Sequence, residues 1–309
     1  MVLIMQKKLF NIISIVLVVT IILSISSTNM VCNPVWDPDQ KSITNKDIYL
    51  KIHDGRPNFI IKPSSSDDEN IYFLKMIKIL EFSDQNSNYK FEPNIDFIKK
   101  VVPLNAFMSW EISSKKMDLD NGEELLIFLN GTAKVHIEHG RFGYISISFI
   151  FHLYNNTATT GVKFDVVINQ WPWQNTNNKL ALFFSLGGNS TRTENIEVSE
   201  RSHGQKKEMH LMGYGSEYEA IIEWKTWALT ESGNITIYDQ MNTYSKYVEL
   251  IFIYPHFENF LKHDPSVLLI GEKLIYTNQN LFLPVLSVII ASSVITYIVW
   301  VNLIKRKKF

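Results

Sequence analysis

Between residues 40 and 275, apolar and polar positions alternate with a period of two far more often than they follow a helical repeat. The clearest stretch is Tyr144 to Tyr154. Ile145, Ile147, Phe149, Phe151 and Leu153 fall on one face, and Ser146, Ser148 and His152 on the other. Such alternation predicts a half-buried strand. Thr132 to His139 reads as its hairpin partner, joined through Gly140-Arg141-Phe142-Gly143. Val162, Phe164, Val166 and Ile168 form another apolar face, opposite Lys163, Asp165 and Asn169. Further strands are predicted at Ile48 to Ile52, Phe59 to Lys62, Ile71 to Phe82, Ala106 to Ile112 and Glu124 to Leu129. Leu180 to Leu186, Glu217 to Leu229, Asn234 to Tyr238 and Tyr247 to Tyr254 complete the set.

About a dozen strands separated by turn residues predict an all-β fold, an antiparallel β-sandwich or a pair of sheets. Polar alternation argues against a parallel sheet, whose strands are buried on both faces. One short helix is predicted around Ile95 to Val101, stopped by Pro103. The stretch from Pro63 to Asp68 reads as a loop, as does the polar run from Gly187 to Lys207.

The two ends break the pattern. Lys7 and Lys8 precede an apolar run from Leu9 to Ile25, followed by Ser26, Ser27 and Thr28. That order is the order of a secretory signal, or of an uncleaved anchor, over residues 1–32. Leu281 to Ile304 is a run of 24 residues without a charge. As a helix it reaches roughly 36 Å, enough to cross a hydrocarbon core of about 30 Å. Tyr297 and Trp300 lie near its end and Lys305 to Lys308 follow, which predicts a cytoplasmic tail over residues 305–309. The expected organisation is therefore a signal or anchor helix, an extracytoplasmic β-rich domain over 33–280, a transmembrane helix over 281–304 and the basic tail. The expected localisation is the cell membrane, single-pass, with the β domain outside and the bilayer held through 281–304.

Charge sharpens this division. The 309 residues carry a formal net charge of −1. Six of the 30 bases sit in the two end segments, so residues 33–280 hold 24 bases against 31 acids. An acidic domain gives no electrostatic reason to bind nucleic acid. One cysteine, Cys32, excludes an intrachain disulfide, a thiolate zinc site and a CxxC redox pair. Neither a Gly-x-Ser-x-Gly elbow nor a GxxxxGK[ST] or GxGxxG loop occurs. No catalytic residue and no cofactor other than calcium is expected.

Candidate chemistry is local. Asp84, Asn86 and Asn88 are spaced one, three and five, as in loops where short oxygen side chains converge on calcium. The segment resembles the first half of an EF-hand or dockerin-type loop, which implies that these three residues and the Lys90 carbonyl are metal ligands. It departs from that pattern at Tyr89, where a glycine is expected, and at Ile95, where a bidentate glutamate is expected. The other reading is an Asx-turn connection. His136, Glu138 and His139 lack zincin spacing, but His152 could join His136 across a hairpin, with Glu138 completing a facial metal set. Trp171, Trp173, Trp224 and Trp227 either fill the core or stack on sugar rings. Four glycosylation sequons begin at Asn130, Asn155, Asn189 and Asn234.

The stretch Gly161-Val162-Lys163-Phe164-Asp165 through Trp171-Pro172-Trp173 to Leu180-Ala181-Leu182 is similar to strand segments of uncharacterised archaeal single-pass membrane-anchored surface proteins with a β-rich ectodomain. That resemblance implies a location and no activity. The function expected is a membrane-anchored surface protein acting by binding, with an unknown surface protein or glycan as partner. The alternatives are a membrane-tethered hydrolase acting on glycans, with carboxylates in a cleft lined by those tryptophans, and an accessory subunit of a membrane complex.

Overall fold

The computed structural model describes residues 35–44, 48–64, 71–119, 122–136, 142–154, 161–188, 196–213 and 218–271. The expected end segments lie outside them. Among the described residues no helix is long and apolar enough to cross a membrane.

Two antiparallel sheets make up the fold, as the alternation predicts. Sheet A contains β1 (Val35–Asp37), β2 (Ser42–Thr44), β3 (Ile48–Ile52), β4 (Asn58–Pro63), β5 (Tyr72–Ser83), β6 (Phe97–Pro103), β11 (Lys179–Gly188), β17 (Tyr238–Thr243) and β18 (Tyr247–Tyr254). Its order is β1-β2-β3-β4-β5-β11-β18-β17, with β6 also on β5. Sheet B contains β7 (Ser109–Leu119), β8 (Gly122–His136), β9 (Phe142–Tyr154), β10 (Gly161–Asn169), β12 (Ile196–His203), β13 (Lys206–Gly213), β14 (Tyr218–Lys225), β15 (Trp227–Thr230), β16 (Gly233–Thr236), β19 (Phe260–His263) and β20 (Ser266–Gly271). Here β7-β8-β9-β10 is a meander, and β10 continues to β20-β14-β13-β12 along one half and to β19-β15-β16 along the other. A 3₁₀ turn at His53–Gly55 and one helical turn, α1 (Leu104–Phe107), interrupt the strands.

The sheets face each other across one core. Phe59 of sheet A meets Phe149 and Phe151 of sheet B edge to face, at 6.4 and 5.1 Å. Trp224 of β14 meets Phe252 of β18 at 5.5 Å. Ile145, Ile147, Phe149 and Phe151 all point into this core, as their spacing requires. Strands β11 and β18 are apolar on both faces, because the outer face of sheet A is covered too. There Phe91 seats on Phe82 and Phe183, closing a second small core with Leu80, Ala181, Ile251 and Ile253.

Several local expectations give way to tertiary pairing. The helix predicted around Ile95 to Val101 is instead β6, paired with Lys78–Ser83. Twelve-residue β5 pairs β4 along its first half and β6 along its second, so its edge groups find partners only if this segment extends. The polar run up to Lys207 is not one loop, since β12 and the start of β13 form an edge hairpin there. Charged side chains are what an exposed sheet edge tolerates. Glu124–Leu129 and Thr132–His136 belong to one strand, β8. Asn234–Tyr238 splits at buried Ile237, where the chain passes from β16 in sheet B to β17 in sheet A.

Candidate functional site: a cleft between the sheet edges

The edges of the two sheets, β1 and the His53–Gly55 turn on one side and β7 on the other, leave an open cleft of about 420 Å³. Two tryptophans line it. Trp36 sits on β1, partly buried against the core. Trp110 sits on β7 directly opposite Gly131 of β8. A Cβ at Gly131 would lie 2.5 Å from the Trp110 ring, so only glycine lets the indole lie down over the strand. Trp110 then stacks on Phe149 at 5.8 Å and donates Nε1–H to the Leu104 carbonyl at 2.8 Å. That indole is held from both ends and cannot swing away.

The polar lining comes from two turns and from β7. Lys41 and Asp54 both adopt left-handed backbone, with φ of 51° and 55°, as does Gly55 at 63°. Non-glycine residues rarely do so, and such conformations gather where a site needs a particular side-chain direction. The Lys41 carbonyl accepts the Ile52 N–H at 2.8 Å, which ties the two turns together. The Lys41 ammonium lies 3.1 Å from the place a Gly55 Cβ would occupy, so glycine makes room for it. The exposed Asp54 carboxylate pairs with His53 at 2.9 Å. Ser114, on the same face of β7 as Trp110 and Ile112, adds a hydroxyl.

The cleft's tryptophans are not those singled out by spacing. Trp171 and Trp224 are buried in the core. Trp173 donates to the Phe257 carbonyl at 2.8 Å, and Trp227 carries the Lys225 ammonium over its ring at 4.6 Å. None of the four lines the cleft. Trp36 and Trp110 carry no signature in the sequence except Gly131, whose meaning appears only with the β7–β8 register.

Asp84, Asn86 and Asn88 do converge in one loop, together with Glu92. Their oxygens are bonded within it. Asp84 accepts the N–H groups of Asn88 and Tyr89 at 3.2 and 3.0 Å, and Asn88 accepts that of Lys90 at 2.8 Å. The amides of Asn86 and Asn88 both donate to Glu92 Oε2, at 2.7 and 2.8 Å. Those donors hold the Glu92 carboxyl below its ordinary value. Asp96 accepts the N–H groups of Gln85 and Glu92, closing the loop that presents Phe91 to sheet A. Among the described residues no group of three or more His, Cys, Asp or Glu is arranged to hold a metal ion.

The structure separates the histidines. In the β8–β9 register His136 faces Phe142, while His152 faces Leu126. Glu138 and His139 lie outside the described residues. His152 is instead clamped on the outer face of sheet B between Glu124, 2.6 Å from Nδ1, and Asp165, 2.7 Å from Nε2. Burial opposes its charge, but the hydrogen bonds to Asp165 and Glu124 outweigh it and raise its pKa. Lys262 approaches Asp165 at 2.7 Å. Burial works against the Asp165 charge, yet His152 and Lys262 hold its carboxyl below the ordinary value. The carboxylates sit on opposite sides of the ring and do not converge on one point.

A second buried carboxylate anchors a loop. Glu81 accepts Gln174 N–H at 2.8 Å, Asn178 Nδ2 at 2.6 Å and Trp171 Nε1 at 3.2 Å, and Lys100 lies 3.8 Å away. Of the sequons, Asn234 is exposed at the start of β16. Asn130 lies inside β8, paired on both sides, and not at a strand end. Asn155 and Asn189 lie outside the described residues.

No family model and no curated protein matches the chain. Among solved structures it is similar to an α-mannosidase from Enterococcus faecalis V583, at 11% identity and a TM-score of 0.46, over 80% of this chain and 31% of that one. A glycosyl hydrolase family 38 protein from Enterococcus faecalis matches at 11% identity and a TM-score of 0.45, over 80% and 32%. The chain thus spans about a third of the length of either.

Proposed function

We propose that this chain is a membrane-anchored surface protein that acts by binding, and that its β domain takes its ligand in the cleft between β1 and β7. The observation carrying this reading is an open cavity of about 420 Å³ with an indole from each sheet and polar groups between them. Sites for small ligands fall in the range of about 300–1,000 Å³ and combine apolar walls with a few placed polar groups. Large aromatics supply contact area at little entropic cost. The anchoring rests on the charge-free run 281–304 with its basic tail, and on the apolar N-terminal run.

Full-length protein in detergent micelles, titrated with a panel of oligosaccharides and peptides while tryptophan fluorescence is followed, tests the reading. Binding that weakens at least about tenfold in Trp36→Ala supports it. Ligands whose affinity is indifferent to Trp36 and Ser114 substitutions would place recognition elsewhere. Protease added to intact cells should reach the β domain and spare the basic tail.

A further inference from the structure

We infer that the cleft selects an acidic sugar, a hexose ring bearing a carboxylate, with Lys41 as the residue that reads the charge. This rests on the cleft being the binding site. Among the described residues Lys41 makes no ion pair and no side-chain hydrogen bond. Lys41 is exposed, and its ammonium lies beside Gly55 on the cleft wall. The backbone on both sides of it is in the left-handed region, at Lys41 and at Asp54–Gly55, and the two turns are joined by the Ile52–Lys41 hydrogen bond. An unpaired ammonium on the wall of an open, aromatic-lined cleft is free to meet an anionic ligand.

The neighbouring groups narrow that anion to a sugar. Trp36 and Trp110 offer flat apolar surface that suits the C–H face of a pyranose. Ser114 offers a hydroxyl that donates and accepts, and Asp54 offers a carboxylate that accepts from ligand hydroxyls. A ligand meeting all three has one apolar face, several hydroxyls and one negative charge. The carboxylate of a uronic acid residue meets Lys41 by a charge-assisted hydrogen bond, while its ring lies against the indoles. A phosphate-rich ligand would find Asp54 opposing a second negative charge.

The test compares the methyl α-glycoside of galacturonic acid, which carries a single carboxylate, with the neutral methyl α-galactoside, by calorimetry on the full-length protein in detergent micelles. The acid should bind about tenfold tighter than the neutral sugar at low salt, and the preference should shrink as salt is raised. Lys41→Asn keeps a residue that tolerates left-handed backbone and removes the ammonium. It should bring the acid-to-neutral ratio to within about twofold of one. Trp36→Ala should weaken both sugars. Melting curves of each variant confirm that it folds. Equal affinity for the two sugars, or a ratio unmoved by Lys41→Asn, overturns the charge reading while Trp36-dependent binding keeps the cleft. If neither sugar binds, the acidic-sugar reading fails and the cleft is judged on the wider ligand panel alone; if they bind and Trp36→Ala changes neither, the cleft itself fails as the site.

Discussion

His263 makes the stability of this domain depend on pH in a calculable way. The ring lies in the core, at 1% exposure, between the two sheets. Its Nδ1 is 3.1 Å from the Tyr254 hydroxyl of sheet A, and its Nε2 is 3.1 Å from the Lys225 carbonyl. A carbonyl can only accept, so Nε2 carries the proton and Nδ1 accepts from the Tyr254 O–H. The neutral ring is thus fully satisfied, whereas a second proton on Nδ1 would face another donor. Burial lowers the His263 pKa from 6.5 to about 4. The unfolded chain therefore binds a proton that the folded chain refuses, and stability falls as pH drops below 6.5. At 1.36 kcal/mol per unit the loss approaches about 3 kcal/mol by pH 4, and is about 2.5 kcal/mol at pH 4.5. For a domain of this size that lowers the melting temperature by about 5–10 °C. His152 acts with the opposite sign: its raised pKa gives a contribution complete below 6.5 and lost as pH rises through the folded value. It is constant in the window where His263 acts. Urea titrations of the full-length protein at pH 6.5, 5.5 and 4.5, followed by tryptophan fluorescence, measure the slope. His263→Gln keeps a donor and an acceptor but does not titrate, and should flatten it. Equal slopes for the wild type and this variant would refute the reasoning.

Three other substitutions or additions have definite outcomes. Glu81→Ala strips the acceptor from Trp171, Gln174 and Asn178 and removes the counter-charge of the buried Lys100 ammonium, which keeps only the Pro172 carbonyl and the Trp171 ring. It should cost about 3–5 kcal/mol in urea unfolding, and a loss below about 1 kcal/mol would show that the loop stands without it. Gly131→Ala drives a methyl into the Trp110 ring and should cost about 1–3 kcal/mol. It should also shift the emission of that indole, whereas wild-type stability with an unchanged spectrum would mean the ring is not held as described. Millimolar calcium or EDTA should leave the melting temperature unchanged, because Asp84 and Asn88 already spend their oxygens on backbone N–H groups. A rise of several degrees with calcium would show that an ion competes with those bonds successfully.

Strand identity was readable wherever one face is buried, because period-two alternation records that burial directly. Tyr247–Tyr254 and Ile48–Ile52 form strands with those very bounds. Legibility failed where pairing, not pattern, decides. Phe97–Pro103 extends because β5 needs a partner on that edge, and polar β12 survives as an edge hairpin. The cleft was illegible for the same reason. Trp36 and Trp110 are 74 residues apart in sequence and belong to different sheets, and nothing in the local spacing of either announces the other.

By itself the sequence determined the all-β class and the inward faces of the central strands, because side-chain direction along a strand alternates whatever its neighbours. It also carries the two charge-free end segments that the anchoring proposal rests on. Only the tertiary structure decided which tryptophans are core and which line an opening. It alone showed that His152 is clamped by Glu124 and Asp165, and that the Asp84 loop serves to seat Phe91. Those outcomes depend on register and on how two sheets meet at their edges. They are set by contacts between residues far apart in the chain, and no local pattern of hydrophobic and polar positions encodes that distance.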